Sequence, residues 1–114
     1  MASIGDHVVF IADDAIGERT DLGQALLKSF VAHLREVEPR PVRLLFMNRG
    51  VLLPCTEGPT LEHLQALEQE GVVLLSCGTC LDALDLVDRV QAGQVSNMQA
   101  ILGAMTAASR VIRP

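Results

Sequence analysis

The sequence predicts a three-layer α/β domain, a mainly parallel sheet with helices on both faces. Short runs rich in Val, Ile and Leu alternate along the chain with longer stretches whose apolar residues recur at helical spacing. The short runs are apolar almost throughout, as strands buried on both faces are. The helical stretches reach on the order of ten residues, enough for crossovers that join parallel strands. At 114 residues, the chain is expected to form one domain over 1–114, with a sizeable core but no room for a second.

The first strand is predicted at residues 7–12 (HVVFIA), ended by Asp13 and Asp14. Asp21 is then expected to cap a helix, with Gln24 completing a capping-box-like pair. Its buried stripe reads as Leu22, Leu26, Phe30 and Leu34, flanked by Leu27, Val31 and Val37. Pro39 and Pro41 stop it. A second strand is predicted at 42–47, ended by Asn48, Arg49 and Gly50. Val51, Leu52 and Leu53 form a short apolar segment that periodicity does not assign; it is a candidate contact between copies of the chain. Pro59 suits the first position of the next helix, with Leu61, Leu64 and Leu67 inward and Gly71 just past its end. The third strand is expected at 72–76, followed by Cys77-Gly78-Thr79-Cys80 and a helical stretch to about Val90. A short fourth strand at 93–96 leads into a helix capped by Ser96 and Gln99, carrying Met98, Ile101, Leu102 and Met105, with Met98 and Met105 read as core. Residues 110–112 make the last strand.

In parallel sheets, ligands bind beyond the carboxyl ends of the strands. Here those ends carry Asp13 and Asp14, then Asn48 and Arg49, then Cys77 and Cys80, then Asn97. The two cysteines are therefore the leading candidate site. Thiols at this spacing can face one another, and a strand-to-helix junction favours thiolate, the reactive form of sulfur. The competing readings are a pair of inert buried cysteines, a zinc site and a thioredoxin-type redox pair. Zinc would need two further ligands, and Cys55, His33 and His63 lack metal-like spacing; no metal and no cofactor are expected. The motif lies late in the chain, and the only proline after it is Pro114, unlike thioredoxin-like chains.

Composition narrows the classes further. Aromatic residues make up 3% of the chain, with no Trp or Tyr, and the net charge is −5. Nucleic-acid binding is not expected, because it relies on aromatic platforms and a basic surface. No run reaches the ~18–20 apolar residues of a membrane span, and no basic residue precedes the first apolar run as in a secretory signal. Three cysteines do not make a paired disulfide framework, so a reducing, cytoplasmic setting is expected.

Four ordered motifs carry a family resemblance. They are Gly23-Gln24-Ala25-Leu26-Leu27-Lys28-Ser29-Phe30, Phe46-x-Asn48-x-Gly50-Val51-x-Leu53, Cys77-Gly78-Thr79-Cys80-Leu81-Asp82, and Gly93-x-Val95-Ser96-Asn97-Met98. Together, from Val8 to Ile112, they resemble the DsrE/DsrF-like sulfur-relay family, closest to the DsrE-like domain of the YedF selenium-metabolism proteins. The resemblance implies a compact Rossmann-like fold, homo-oligomers (a dimer or trimer is favoured), and a sulfurtransferase-like activity in which a cysteine carries sulfane sulfur as a persulfide. It aligns Cys77 with the sulfur carrier and Cys80 with the second thiol of the YedF pattern. Gly78, Thr79, Asn48, Asn97 and Asp13 are the expected substrate-binding residues. Two departures matter: no TusA-like domain with a Cys-Pro motif is present, so a TusA-like sulfur donor would be a separate chain, and the family's turn glycine is replaced by Asp85. The alternative reading is a non-catalytic oligomeric binding module with incidental thiols.

Overall fold

The computed structural model describes residues 2–114. Five strands form one sheet: β1 (Val8–Ile11), β2 (Arg43–Phe46), β3 (Val73–Cys77), β4 (Gln94–Ser96) and β5 (Val111–Ile112). They lie in the order β4-β3-β2-β1-β5, and every pairing is parallel. Four α-helices accompany them: α1 (Asp21–His33), α2 (Pro59–Gln69), α3 (Gly78–Ala83) and α4 (Met98–Ala107). The α/β class and the parallel sheet expected from the sequence are both present.

Because successive strand side chains point to opposite faces, the apolar runs feed two separate cores. Val9, Ile11, Leu44, Phe46 and Leu74 pack on Leu27 and Val31 of α1 and on Leu61, Leu64 and Leu67 of α2. Val8, Leu45 and Cys77 pack the other way, on Ile101 of α4. The helix α4 takes the chain from β4 at one edge of the sheet to β5 at the other, so the strand order reverses beside β1.

Two helix starts differ from the sequence expectation by one residue. Thr20, not Asp21, caps α1: its hydroxyl accepts from the Gly23 N–H at 3.1 Å. Gln24 reaches instead for Asp14, donating from Nε2 to Oδ2 at 3.2 Å. Asn97, not Ser96, caps α4, because Ser96 is still held in the ladder opposite Cys77.

The buried faces of these helices are also rotated. In α1 the inward residues are Gly23, Leu27, Val31 and then Leu34, while Leu22 and Leu26 are exposed. Gly23 fixes this phase: a Cβ there would stand 2.1 Å from the Glu18 carbonyl oxygen, so only a glycine fits against the preceding loop. In α4 only Ile101 is fully buried; Met98, read from sequence as core, faces solvent, as does Leu102, while Met105 packs partly buried against the smaller core. The helical stretch after Cys80 is interrupted. The α3 helix ends at Ala83, Asp85 adopts the left-handed conformation at φ 58°, the turn a glycine makes at lower cost, and a 3₁₀ turn at Val87–Arg89 follows.

Residues Asn48–Cys55 form a 3₁₀ helix, which absorbs the unassigned Val51-Leu52-Leu53 segment. Val51 and Leu53 are buried in the α1/α2 core, so this segment folds back onto its own chain, the alternative to a contact between copies. Its seat is Gly50, where a Cβ would lie 2.1 Å from the carbonyl oxygen of Ile11 at the end of β1. Gly50→Ala is expected to lower stability by roughly 1–3 kcal/mol, as overpacking of a tight site does. Urea unfolding measures it; a midpoint unchanged from wild type would mean that the close approach is not a constraint.

Candidate functional site

The carboxyl ends of four strands line one rim of the sheet. In spatial order they present Asn97 after β4, Cys77 at the end of β3, Asn48 after β2 and Asp13 after β1. Local rules put them there. Each strand ends where its apolar run ends, and parallel pairing then aligns the ends. The register sets Ser76 opposite Phe46 and Cys77 opposite Ser96.

Cys77 is the last residue of β3 and the residue before α3; Cys80 lies in the first turn of that helix. Both are free thiols, and Cys80 packs against the cluster that contains Cys77, so the two thiols are neighbours. Their surroundings differ sharply. Cys77 is 2% exposed, enclosed on the α4 side by Val8, Leu45 and Ile101. Cys80 is half-buried, bridges the two cores, and receives the backbone N–H of Asn48 at 3.1 Å from its sulfur. Asn48 itself is left-handed at φ 52°, which asparagine tolerates better than most residues.

Gly78 is required between the cysteines. A Cβ there would stand 2.9 Å from the Ser96 carbonyl oxygen and 3.3 Å from the Val95 side chain. The fourth strand thus lies tightly against the thiol turn. Thr79 is exposed. Asn97 is exposed too, and its Oδ1 is committed to the Ala100 N–H at 2.8 Å as the α4 cap.

Asp13 stands two strands away from the thiols. Its carboxylate takes a bidentate pair from Arg49, at 3.0 and 3.2 Å. That guanidinium holds Asp13 below the usual carboxylate range. Arg49 follows Asn48 in sequence, so the ion pair and the N–H on Cys80 belong to one short segment. Sequence reasoning placed Arg49 on the rim but not in the site; it counted Asn48 among the substrate-binding residues, and here the Asn48 backbone N–H contacts Cys80. Next to the same 3₁₀ helix, a cleft of 590 Å³ opens between α1 and α2, with Lys28, Leu52, Thr60 and His63 on its walls. No local pattern announces it, because its walls come from three separate segments.

Burial pushes the Cys80 thiol above its ordinary pKa of 9.0, the neighbouring Cys77 thiol adds to the shift, and the Asn48 N–H opposes it. Burial alone raises Cys55, which sits in the α1/α2 core at the end of the 3₁₀ helix. The folded chain therefore holds these protons more tightly than the unfolded chain. The resulting stability is present below the ordinary thiol pKa and is lost as the pH rises through the folded values. Among the described residues, no three of His, Cys, Asp or Glu come together in a group able to hold a metal ion. No described helix is long and apolar enough to cross a membrane.

The comparisons with known proteins concern this framework. No protein-family model matches the chain and no curated protein does. Several solved structures share its architecture. The ychN protein from E. coli superimposes with a TM-score of 0.71 at 18% identity, covering 100% of both chains. BT1422 from Bacteroides thetaiotaomicron, a conserved protein of unknown function, gives 0.67 at 11% identity, covering 96% of this chain and 95% of its own. At these identities the likeness is one of fold alone, a compact α/β domain on a five-stranded parallel sheet.

The raised Cys80 thiol sets an expectation for its reactivity. Alkylation by iodoacetamide should be slower near neutral pH than for a free model thiol, and should rise roughly tenfold per pH unit toward a plateau above the ordinary thiol range. Peptide mapping of the modified cysteine against pH checks this. A plateau already reached at neutral pH would contradict the burial described.

Proposed function

We propose that the chain is a small sulfur-relay protein, sulfurtransferase-like, that carries sulfane sulfur as a persulfide on the Cys77–Cys80 pair. The observation that carries this reading is the placement of the pair. Two neighbouring free thiols lie at the carboxyl edge of a parallel sheet, one sheltered and one reachable, with a backbone N–H directed at the reachable sulfur. A thiolate or persulfide anion at Cys80 is stabilised by that donor. The α/β fold agrees with the motif resemblance that suggested sulfur transfer. A link to selenium metabolism, and with it the YedF likeness, rests on the sequence motifs alone.

Gly78 and Thr79 form the turn that a donor would have to approach, and Asn48, Asn97 and Asp13 lie along the same rim. The exposed carboxylates Asp82, Asp85 and Asp88 follow directly. They make a partner with a basic face a better match than a small anionic donor. A separate TusA-like donor chain, in a cytoplasmic setting, fits this proposal.

A second reading, a non-catalytic binding or assembly module, is favoured by a different observation. No charged side chain occurs between Arg89 and Arg110, and within that span Val95, Met98 and Leu102 are 48%, 56% and 54% exposed. An uncharged apolar face beside an edge strand is suited to association. Self-association as a dimer or trimer is compatible with either reading.

Two measurements test the proposal. After incubation with a sulfane-sulfur donor, the intact mass of the wild-type protein should increase by one sulfur, and Cys77→Ser together with Cys80→Ser should abolish the gain. No adduct on wild type would leave the module reading. For association, light scattering at high micromolar concentration should give a dimer or trimer, which Leu102→Glu should dissociate. A wild-type monomer would refute the oligomer, and an oligomer indifferent to Leu102→Glu would place its interface elsewhere.

A further inference from the structure

The two thiols do not offer a donor the same access. Cys77 is 2% exposed and closed in by Val8, Leu45 and Ile101, whereas Cys80 is half-buried and opens to solvent at the rim. A donor persulfide, whether on a peptide or on a protein surface, must bring its outer sulfur into line with the attacking sulfur. Only Cys80 permits that approach without displacing α4. Resting on the sulfur-relay reading above, we infer that Cys80 is the thiol that receives the sulfur and Cys77 the thiol that retains it.

The chemistry balances without an oxidant or reductant. The Cys80 thiolate attacks the outer sulfur of a donor R–S–SH. The donor's S–S bond breaks, its electron pair leaves with R–S⁻, and Cys80 becomes Cys80–S–SH. Cys77, which neighbours Cys80 across the strand-to-helix turn, then attacks the same outer sulfur. The Cys80 S–S bond breaks, Cys80 departs as a thiolate and takes up the Cys77 proton, and Cys77–S–SH forms. Throughout the second step the moving sulfur stays between the two cysteines and only its bond changes owner, so the core under α4 need not open.

The Asn48 N–H suits both steps. It stands 3.1 Å from the Cys80 sulfur, where it stabilises Cys80 as the attacking thiolate in the first step and as the leaving thiolate in the second. A better-stabilised leaving thiolate speeds exchange. On Cys77 the sulfane sulfur has apolar walls on one side and the Cys80 side chain on the other, which shelters it from reductants in bulk water.

Glutathione persulfide is the probe. The protein is mixed with it anaerobically and quenched with an alkylating agent at successive times. Intact mass gives the uptake rate, and peptide mapping gives the site. In wild type the adduct should appear first on Cys80 and then on Cys77. Cys80→Ser should take up sulfur at least about tenfold more slowly, since only the sheltered thiol remains. Cys77→Ser, and Cys77→Ala as a second variant, should still take up sulfur, on Cys80 alone, and surrender it faster to cyanide. Cys80→Ser loading Cys77 at the wild-type rate would overturn the order of the two thiols, as would loss of uptake in both Cys77 variants. Those outcomes leave the sulfur-relay reading standing. A wild-type protein that takes up no sulfur removes both.

Discussion

The close approach of Gly50 to the end of β1 is the constraint on which the rest of the site depends. With no side chain at this position, the 3₁₀ helix that follows β2 lies directly against the Ile11 carbonyl. From that one seat the segment reaches in three directions. Its first residue turns an N–H onto the Cys80 sulfur. Its second residue clamps Asp13 at the end of the neighbouring strand. Its later residues, Val51 and Leu53, anchor it in the core shared with α1 and α2. Core burial thus holds the polar end of the segment in place, and packing energy becomes geometric precision at the thiols.

The fold was largely legible in the sequence because strands buried on both faces are written as uninterrupted apolar runs. Helix phase was less so. The stripe Leu22, Leu26, Phe30, Leu34 is as regular as the one that is buried, and periodicity cannot choose between two overlapping stripes. Gly23 chooses, through a contact with a loop outside the helix, and contacts of that kind carry no local signature. The same holds for α4, where an almost uncharged helix gives no polar face by which to orient it. Both helix caps lay one residue from the expected ones, since Thr20 and Asn97 compete with equally plausible polar neighbours.

The candidate site divides along the same line. The two cysteines and the rim were readable, because motif spacing and the end of a strand are local facts. The difference in exposure between the thiols was not, since it is made by Ile101 of α4, more than twenty positions away in the chain. Nor was the role of Asn48. A sequence shows its side chain, while the contact with sulfur uses its backbone in a left-handed turn. The likeness to ychN is one of fold, and the candidate residues are the ones on this rim.

The placement of β5 beside β1 has a consequence for how the chain folds. Beside this pairing Ser109 donates to Asp6 across 103 positions of sequence, so this edge of the sheet closes the longest loop in the domain. Such closures come late, after local crossovers have formed. The strands from β1 to β4 can assemble through successive neighbours, but α4 is drawn across the opposite face only when its far end is tied down by β5. Because Ile101 on that helix covers Cys77, the sheltered thiol stays open to alkylants and oxidants until the final stage of folding. A refolding chain labelled in short pulses would carry that order of events as a record, with Cys77 the last cysteine to fall silent.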